Sequence, residues 1–165
     1  MQRGYSANAY SAKRYGYSAQ ATRKRTVADQ SHSPIKSKGR ELIAGQLSMC
    51  VSRSCEQGMV SLGQYKYQVY NSDFGPLTIG DLSDLTRVLS RTRLHQTVHI
   101  PSESKAQARS VCLLACYLIY CKNYSVAQVQ NTLGDNYLRS LVTFRDAGIG
   151  PDDYPISVVD VLRGL

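Results

Sequence analysis

Beyond Met1, large aliphatic residues are missing from the start of the chain until Val27, and from Arg40 onward they recur with regular spacing. Glu41-Leu42-Ile43, followed by Leu47 and Met49, predicts a short strand or turn leading into a folded domain, with a loop around Ser52–Gly58 after it. Tyr65, Tyr67 and Val69 alternate with Lys66, Gln68 and Tyr70, the period-two pattern of a strand. Thr78 is placed to cap a helix from Ile79 to about Arg91, in which Leu82, Leu85, Val88 and Leu89 share a face. Asp81 and Asp84 lie in its first turns and Arg87, Arg91 and Arg93 toward or just past its end, as the helix dipole favours. Thr97-Val98-His99-Ile100 predicts a short buried strand that Pro101 ends, and Ser102 or Ser104 starts a helix to about Lys122. Ser125 caps a helix from Val126 to Leu133, with Gly134 just after its end. Pro155 opens a last helix, Ile156 to Leu162, with Gly164 near its stop.

Strands and helices in this order predict an α/β domain, and 165 residues suit one domain with a tail. The division falls at residues 1–39, an extended arm, and 40–165, the domain. In the arm Tyr-Ser-Ala recurs at Tyr5, Tyr10 and Tyr17 among Gly, Ser and Arg. So little apolar surface cannot offset chain entropy, so the arm is not expected to fold alone.

Charge sharpens the division. Residues 1–40 hold nine of the 20 Lys/Arg and a single acid, Asp29, so the net +8 of the chain resides there and the remainder is neutral. Arg3, Lys13, Arg14, Arg23, Lys24 and Arg25 are interleaved with Tyr5, Tyr10, Tyr15 and Tyr17. Arginine makes forked contacts to carboxylate or phosphate, and tyrosine adds contact area at low entropic cost. These ten residues are the candidate partner-binding arm, and the expected partner is acidic. The plain alternative is a solvated, solubilising tail. Ser33-Pro34-Ile35-Lys36 also fits a weak proline-directed kinase motif in an exposed linker.

The five cysteines (Cys50, Cys55, Cys112, Cys116, Cys121) are odd in number, have no framework spacing and follow no signal peptide, which suggests the reduced cytoplasm. Val111 to Cys121 is the longest apolar run and is too short to span a bilayer, so no membrane partner is expected. Cys112 and Cys116 lie one turn apart and could hold a metal, but their leucine-rich surroundings favour small core residues. His32, His95 and His99 show no ligand spacing, and His99 at the end of a buried strand reads as a hydrogen-bonded core residue. No metal site and no cofactor is expected. Glycine-rich phosphate-binding signatures are absent.

Several short motifs carry a family resemblance. They are Glu41-Leu42-Ile43 through Leu47, Asn71-Ser72-Asp73-Phe74-Gly75-Pro76-Leu77, Val98-His99, and Leu118-Ile119-Tyr120-Cys121-Lys122. Phe144-Arg145-Asp146-Ala147 and Val158-Val159-Asp160-Val161-Leu162-Arg163-Gly164 complete the series. In this order, Arg40 to Leu165 resembles the N-terminal domain of the mitotic-exit dual-specificity phosphatases of the cell-division-cycle series, number fourteen. That resemblance implies a degenerate dual-specificity-phosphatase-like domain that helps shape a substrate groove, beside a second domain that carries the catalytic cysteine and arginine. It implies that the second domain is absent here.

The residues point the same way on chemical grounds. A cysteine phosphatase needs a thiolate and an arginine at C-x5-R so that one loop places both around a phosphate. Six residues beyond the five cysteines stand Glu56, Ser61, Leu118, Lys122 and Ala127. In the degenerate loop marked by His99, Glu103 and Arg109, Glu103 occupies the place of the nucleophile. Its carboxylate would repel phosphate, and no glycine lets the backbone close around one. The chain is therefore expected not to be an enzyme.

The leading functional expectation is a pseudophosphatase building block, anchored by its arm to an acidic protein surface in a large cytoskeletal assembly. Tubulin in flagellar or axonemal microtubules is the specific candidate. The alternative is a regulatory or phosphopeptide-binding subunit acting with a separate catalytic domain. Nucleic-acid binding through the arm is a third reading, disfavoured by a neutral domain without an RNA-binding motif.

Overall fold

The computed structural model describes residues 39–70, 73–91 and 94–165. The chain enters through a hairpin, β1 (Arg40–Ile43) and β2 (Leu47–Ser52). Gly45 sits at its tip with φ +65°, a conformation that glycine adopts without steric cost. Its N–H donates to Glu41 Oε1 at 2.8 Å, while Gln46 N–H donates to the Ile43 carbonyl at 3.0 Å. What the sequence left open as strand or turn is both.

The hairpin joins a four-stranded sheet with β3 (Val60–Ser61) and β4 (Gln96–Pro101), in the order β1-β2-β4-β3. β1 runs antiparallel to β2, and β4 runs parallel to both β2 and β3. The register sets Met49 opposite Val98 and Cys50 opposite His99. Both central strands carry near-continuous buried runs, as expected where a parallel pair is covered.

The strand expected over Tyr65–Val69 does not form. A 3-10 turn, Leu62–Gln64, follows β3, and no regular element follows through Tyr70. β3 takes the place beside β4 first. Tyr67 instead donates its phenol to the Asp73 carboxylate. Alternation alone could not show that this segment has no strand to pair with.

Helix α1 (Ile79–Ser90) begins at Thr78, which forms a reciprocal capping box with Asp81. α2 (Ser104–Lys122) is the spine of the fold and packs against β4, α1, α3 and α5. Its buried residues include Val111, Leu114, Ala115 and Leu118, each 0% exposed. Burying each large aliphatic side chain contributes about 1.5–3 kcal/mol. Asn123, left-handed at φ 56°, ends the helix.

α3 (Val126–Leu133) starts at Ser125 in a second capping box. Gly134 closes it, and the same glycine also opens α4 (Asp135–Ser140), which the sequence pattern missed. Arg40 donates to the Leu133 carbonyl at 2.7 Å, tying the domain's first residue to the end of α3.

α5 (Val158–Arg163) starts two residues later than expected. Ile156 is held in an antiparallel bridge to Phe144, and Ser157 supplies the cap through Asp160. Among the described residues, no helix is long and apolar enough to cross a membrane.

Candidate functional site

The turn from β4 into α2 is where a strand–loop–helix phosphate site would lie. Here it is only Ser102 and Glu103, and neither Ser102 nor Ser104 caps the helix. Glu103 does, taking the N–H groups of Lys105 at 3.1 Å and Ala106 at 2.7 Å on its two carboxylate oxygens. A helix start attracts anions because its first N–H groups lack partners and its dipole is positive. Glu103 meets both demands from within the chain.

The other two residues of the expected degenerate loop turn away from it. His99 is buried, and its Nε2–H donates to the Ser52 carbonyl at 3.1 Å. Nδ1 therefore accepts from the Ser61 hydroxyl at 3.1 Å in the neutral ring. His99 thus joins β2 and β3 to β4.

Arg109 faces the Asp73–Leu77 turn, where Nη1 donates to the Phe74 carbonyl at 3.2 Å. Its Nε is buried without a hydrogen-bond partner. The ion pairs among the described residues include Arg87–Asp84, Arg139–Asp135 and Arg163–Asp160, and none of these joins Glu103 to Arg109. The structure therefore does not converge His99, Glu103 and Arg109 on one point.

It does bring together two of the family-like motifs, those around Phe74 and Phe144. The rings of Phe74 and Phe144 stand 5.5 Å apart at 48°, and the Lys105 ammonium lies 5.3 Å from the Phe74 centroid. Gly75, at φ +151°, lets the Arg109 stem lie against the backbone: a Cβ there would meet Arg109 Cγ at 2.9 Å and Phe144 Cε1 at 3.3 Å. Asp73, buried, accepts from Tyr70 N–H at 2.7 Å and from the Tyr67 phenol, whose pKa that bond raises. Arg145 closes the following loop by donating to the Gly150 carbonyl at 2.6 Å. This is a packed junction in which the Asp73 side chain and the Arg109 Nε are buried.

Cys112 belongs to the core and Cys116 packs against it, as expected. Cys112 is buried and Cys116 partly buried, and both line an apolar cavity of about 400 Å³ between α1, α2 and α5. The closeness of the two thiols, one helical turn apart, raises the Cys112 thiol and lowers that of Cys116. Neighbouring leucines correctly signalled burial but gave no sign of the cavity. Among the described residues, no cluster of three or more His, Cys, Asp or Glu could hold a metal. The arm residues Arg3, Tyr5, Tyr10, Lys13, Arg14, Tyr15, Tyr17, Arg23, Lys24 and Arg25 lie outside the described residues, as do Ser33, Asn71, Ser72 and Arg93.

Residues 51–165 match the family model described as "Dual specificity protein phosphatase, N-terminal half". The resemblance expected from Arg40 thus starts later, with β1 and most of β2 preceding the match. The chain is 33% identical over 107 residues to the tyrosine-protein phosphatase CDC14 of Candida albicans, covering 60% of this chain and 19% of that protein. It is 26% identical over 111 residues to the Saccharomyces cerevisiae CDC14, again covering 60% and 19%. To the Schizosaccharomyces pombe CDC14 homolog it is 25% identical over 108 residues, covering 60% and 20%. The chain spans about a fifth of the length of these curated relatives.

Proposed function

This chain belongs to the family of dual specificity protein phosphatases, matching its N-terminal half, and on that premise we propose that its folded domain is a non-catalytic building block. The observation that carries the reading is Glu103. The N–H groups that would face a bound phosphate are taken by the chain's own carboxylate, and no cysteine in these 165 residues has an arginine six positions on.

The arm supplies the anchor. With the whole +8 excess in residues 1–40 and tyrosines between its basic residues, it suits an acidic protein surface in a cytoplasmic, cytoskeletal assembly. The wall of flagellar or axonemal microtubules is the specific candidate. The second reading is a regulatory or phosphopeptide-binding subunit beside a separate phosphatase domain. It is supported by the similarity to proteins named tyrosine-protein phosphatases over a fifth of their length.

Cell fractionation separates the two. Source cells are extracted with detergent and then with high salt, following the native chain and a full-length variant with Arg3, Lys13, Arg14, Arg23, Lys24 and Arg25 replaced by Ala. Anchoring predicts that the native chain stays insoluble through both steps and that the variant is released. Release of both would remove the cytoskeletal reading and favour the regulatory one. Retention of both would make the arm a passenger and the folded domain the binder.

A further inference from the structure

The apolar cavity and the thiol pair on its wall belong to neither the arm nor the β4–α2 turn. We propose that Cys116 is a site of S-acylation, taking a fatty acyl group from an acyl-coenzyme A thioester and seating the chain in this cavity.

Size and lining favour an acyl chain. The cavity measures about 400 Å³, within the range of small-molecule pockets. Pro76, Leu77, Ile79 and Leu82 form one wall, Leu113 and the cysteines the floor, and Val161 part of the other side. It reaches the surface beside Ile79 and Tyr120, which are 85% and 57% exposed. The hydroxyl-bearing residues on the lining are Thr78 and Tyr120, and the Thr78 hydroxyl is already engaged with Asp81 in the α1 cap. A polar metabolite would therefore find little to orient it, whereas a hydrocarbon chain needs only the apolar walls.

The thiols supply the attachment point. Cys112 and Cys116 are one helical turn apart, and Cys112 is only 2% exposed. Cys116 is the more accessible of the two, and its neighbour draws its thiol below the ordinary pKa, whereas Cys112 is raised by Cys116 and by burial. Thiolate is the attacking form of cysteine.

The Cys116 sulfur adds to the thioester carbonyl carbon, and the resulting oxyanion collapses. The bond from carbon to the coenzyme A sulfur breaks, coenzyme A leaves as its thiolate, and it takes up the proton that Cys116 released. No atom is oxidised or reduced. A docked protein segment would explain the cavity and leave the thiol pair idle. A small water-soluble electrophile would explain the thiols and leave the cavity empty.

The test uses the full chain incubated at neutral pH with decanoyl-coenzyme A or with acetyl-coenzyme A, followed by intact-mass measurement and peptide mapping. Cys55, the exposed cysteine, serves as an internal control for unselective transfer. We expect one decanoyl group, on Cys116, removed by neutral hydroxylamine and formed at least tenfold faster than the acetyl adduct. Cys116→Ser should abolish it. Cys55 should react slowly and at similar rates with both donors. The proposal fails if the label resides on Cys55, if Cys116 takes acetyl as fast as decanoyl, or if neither donor modifies the chain.

Discussion

At its first turn α2 meets Glu103, whose carboxylate takes two backbone N–H groups. Farther along, the same helix carries Cys112 and Cys116 beside an open apolar cavity. The difference follows from the groups involved. A backbone donor without a partner is costly, so the polar end of the helix is satisfied from within the chain. Apolar surface gains from burial without being obliged to it, and folded proteins leave much of it uncovered. The end of α2 where a phosphatase would place its chemistry is therefore closed, and the part nearer its C-terminal end is open.

The first way to break this comparison is to remove what both ends of α2 share. Leu118 is 0% exposed in the core against which the helix rests. Leu118→Ala should cost about 2–5 kcal/mol, read as a lower urea midpoint with an unchanged slope. A loss below about 1 kcal/mol would show that α2 is not the common support.

A smaller effect belongs to the closed end. Glu103→Ala removes a helix cap at an exposed position and should cost about 0.5–1 kcal/mol. Glu103→Gln keeps a side-chain acceptor and should lose less. Equal losses in the two variants would mean that the carboxylate's hydrogen bonds are not what matters there.

The smallest effect is on the wall of the open end. At the start of α5, the Ser157 hydroxyl and then its N–H hydrogen-bond the Asp160 carboxylate and hold its pKa below the usual value. A carboxyl depressed in the folded state contributes stability above its unfolded pKa and loses it as pH falls through the folded one. Amide protection factors in α5, corrected for the intrinsic pH dependence of exchange, should therefore fall as pH drops below about 4, and Asp160→Asn should flatten that dependence. An α5 that loosens identically in both chains would assign the acid response to another group.

Much of this architecture was legible because it is encoded locally. Thr78 and Ser125 announce α1 and α3 through caps with Asp81 and Gln128, and the apolar run after Val111 announces the middle of α2. The failures share a different cause. Tyr65–Val69 alternates like a strand, but β3 holds the place beside β4, which no local pattern records. Ile156 looks helical, yet its bridge to Phe144, a distant partner, delays α5 to Val158. At the site, the sequence led to the expectation that Glu103 would repel phosphate. It did not show that Glu103 caps α2, because glutamate is an unusual cap flanked here by two serines. Nor could it show that Arg109 turns to Phe74, which depends on Gly75 bringing a separate loop against the helix. The cavity beside Cys116 is a property of three elements together.

The most direct test of the central claim is a phosphate titration of the 15N-labelled protein, following the amide signals of Lys105 and Ala106. If Glu103 occupies this helix start, those signals should stay in place as inorganic phosphate is added at constant ionic strength. A saturable shift of both amides would mean that phosphate displaces Glu103. The domain would then retain an anion site, contradicting its reading as a closed, non-catalytic building block.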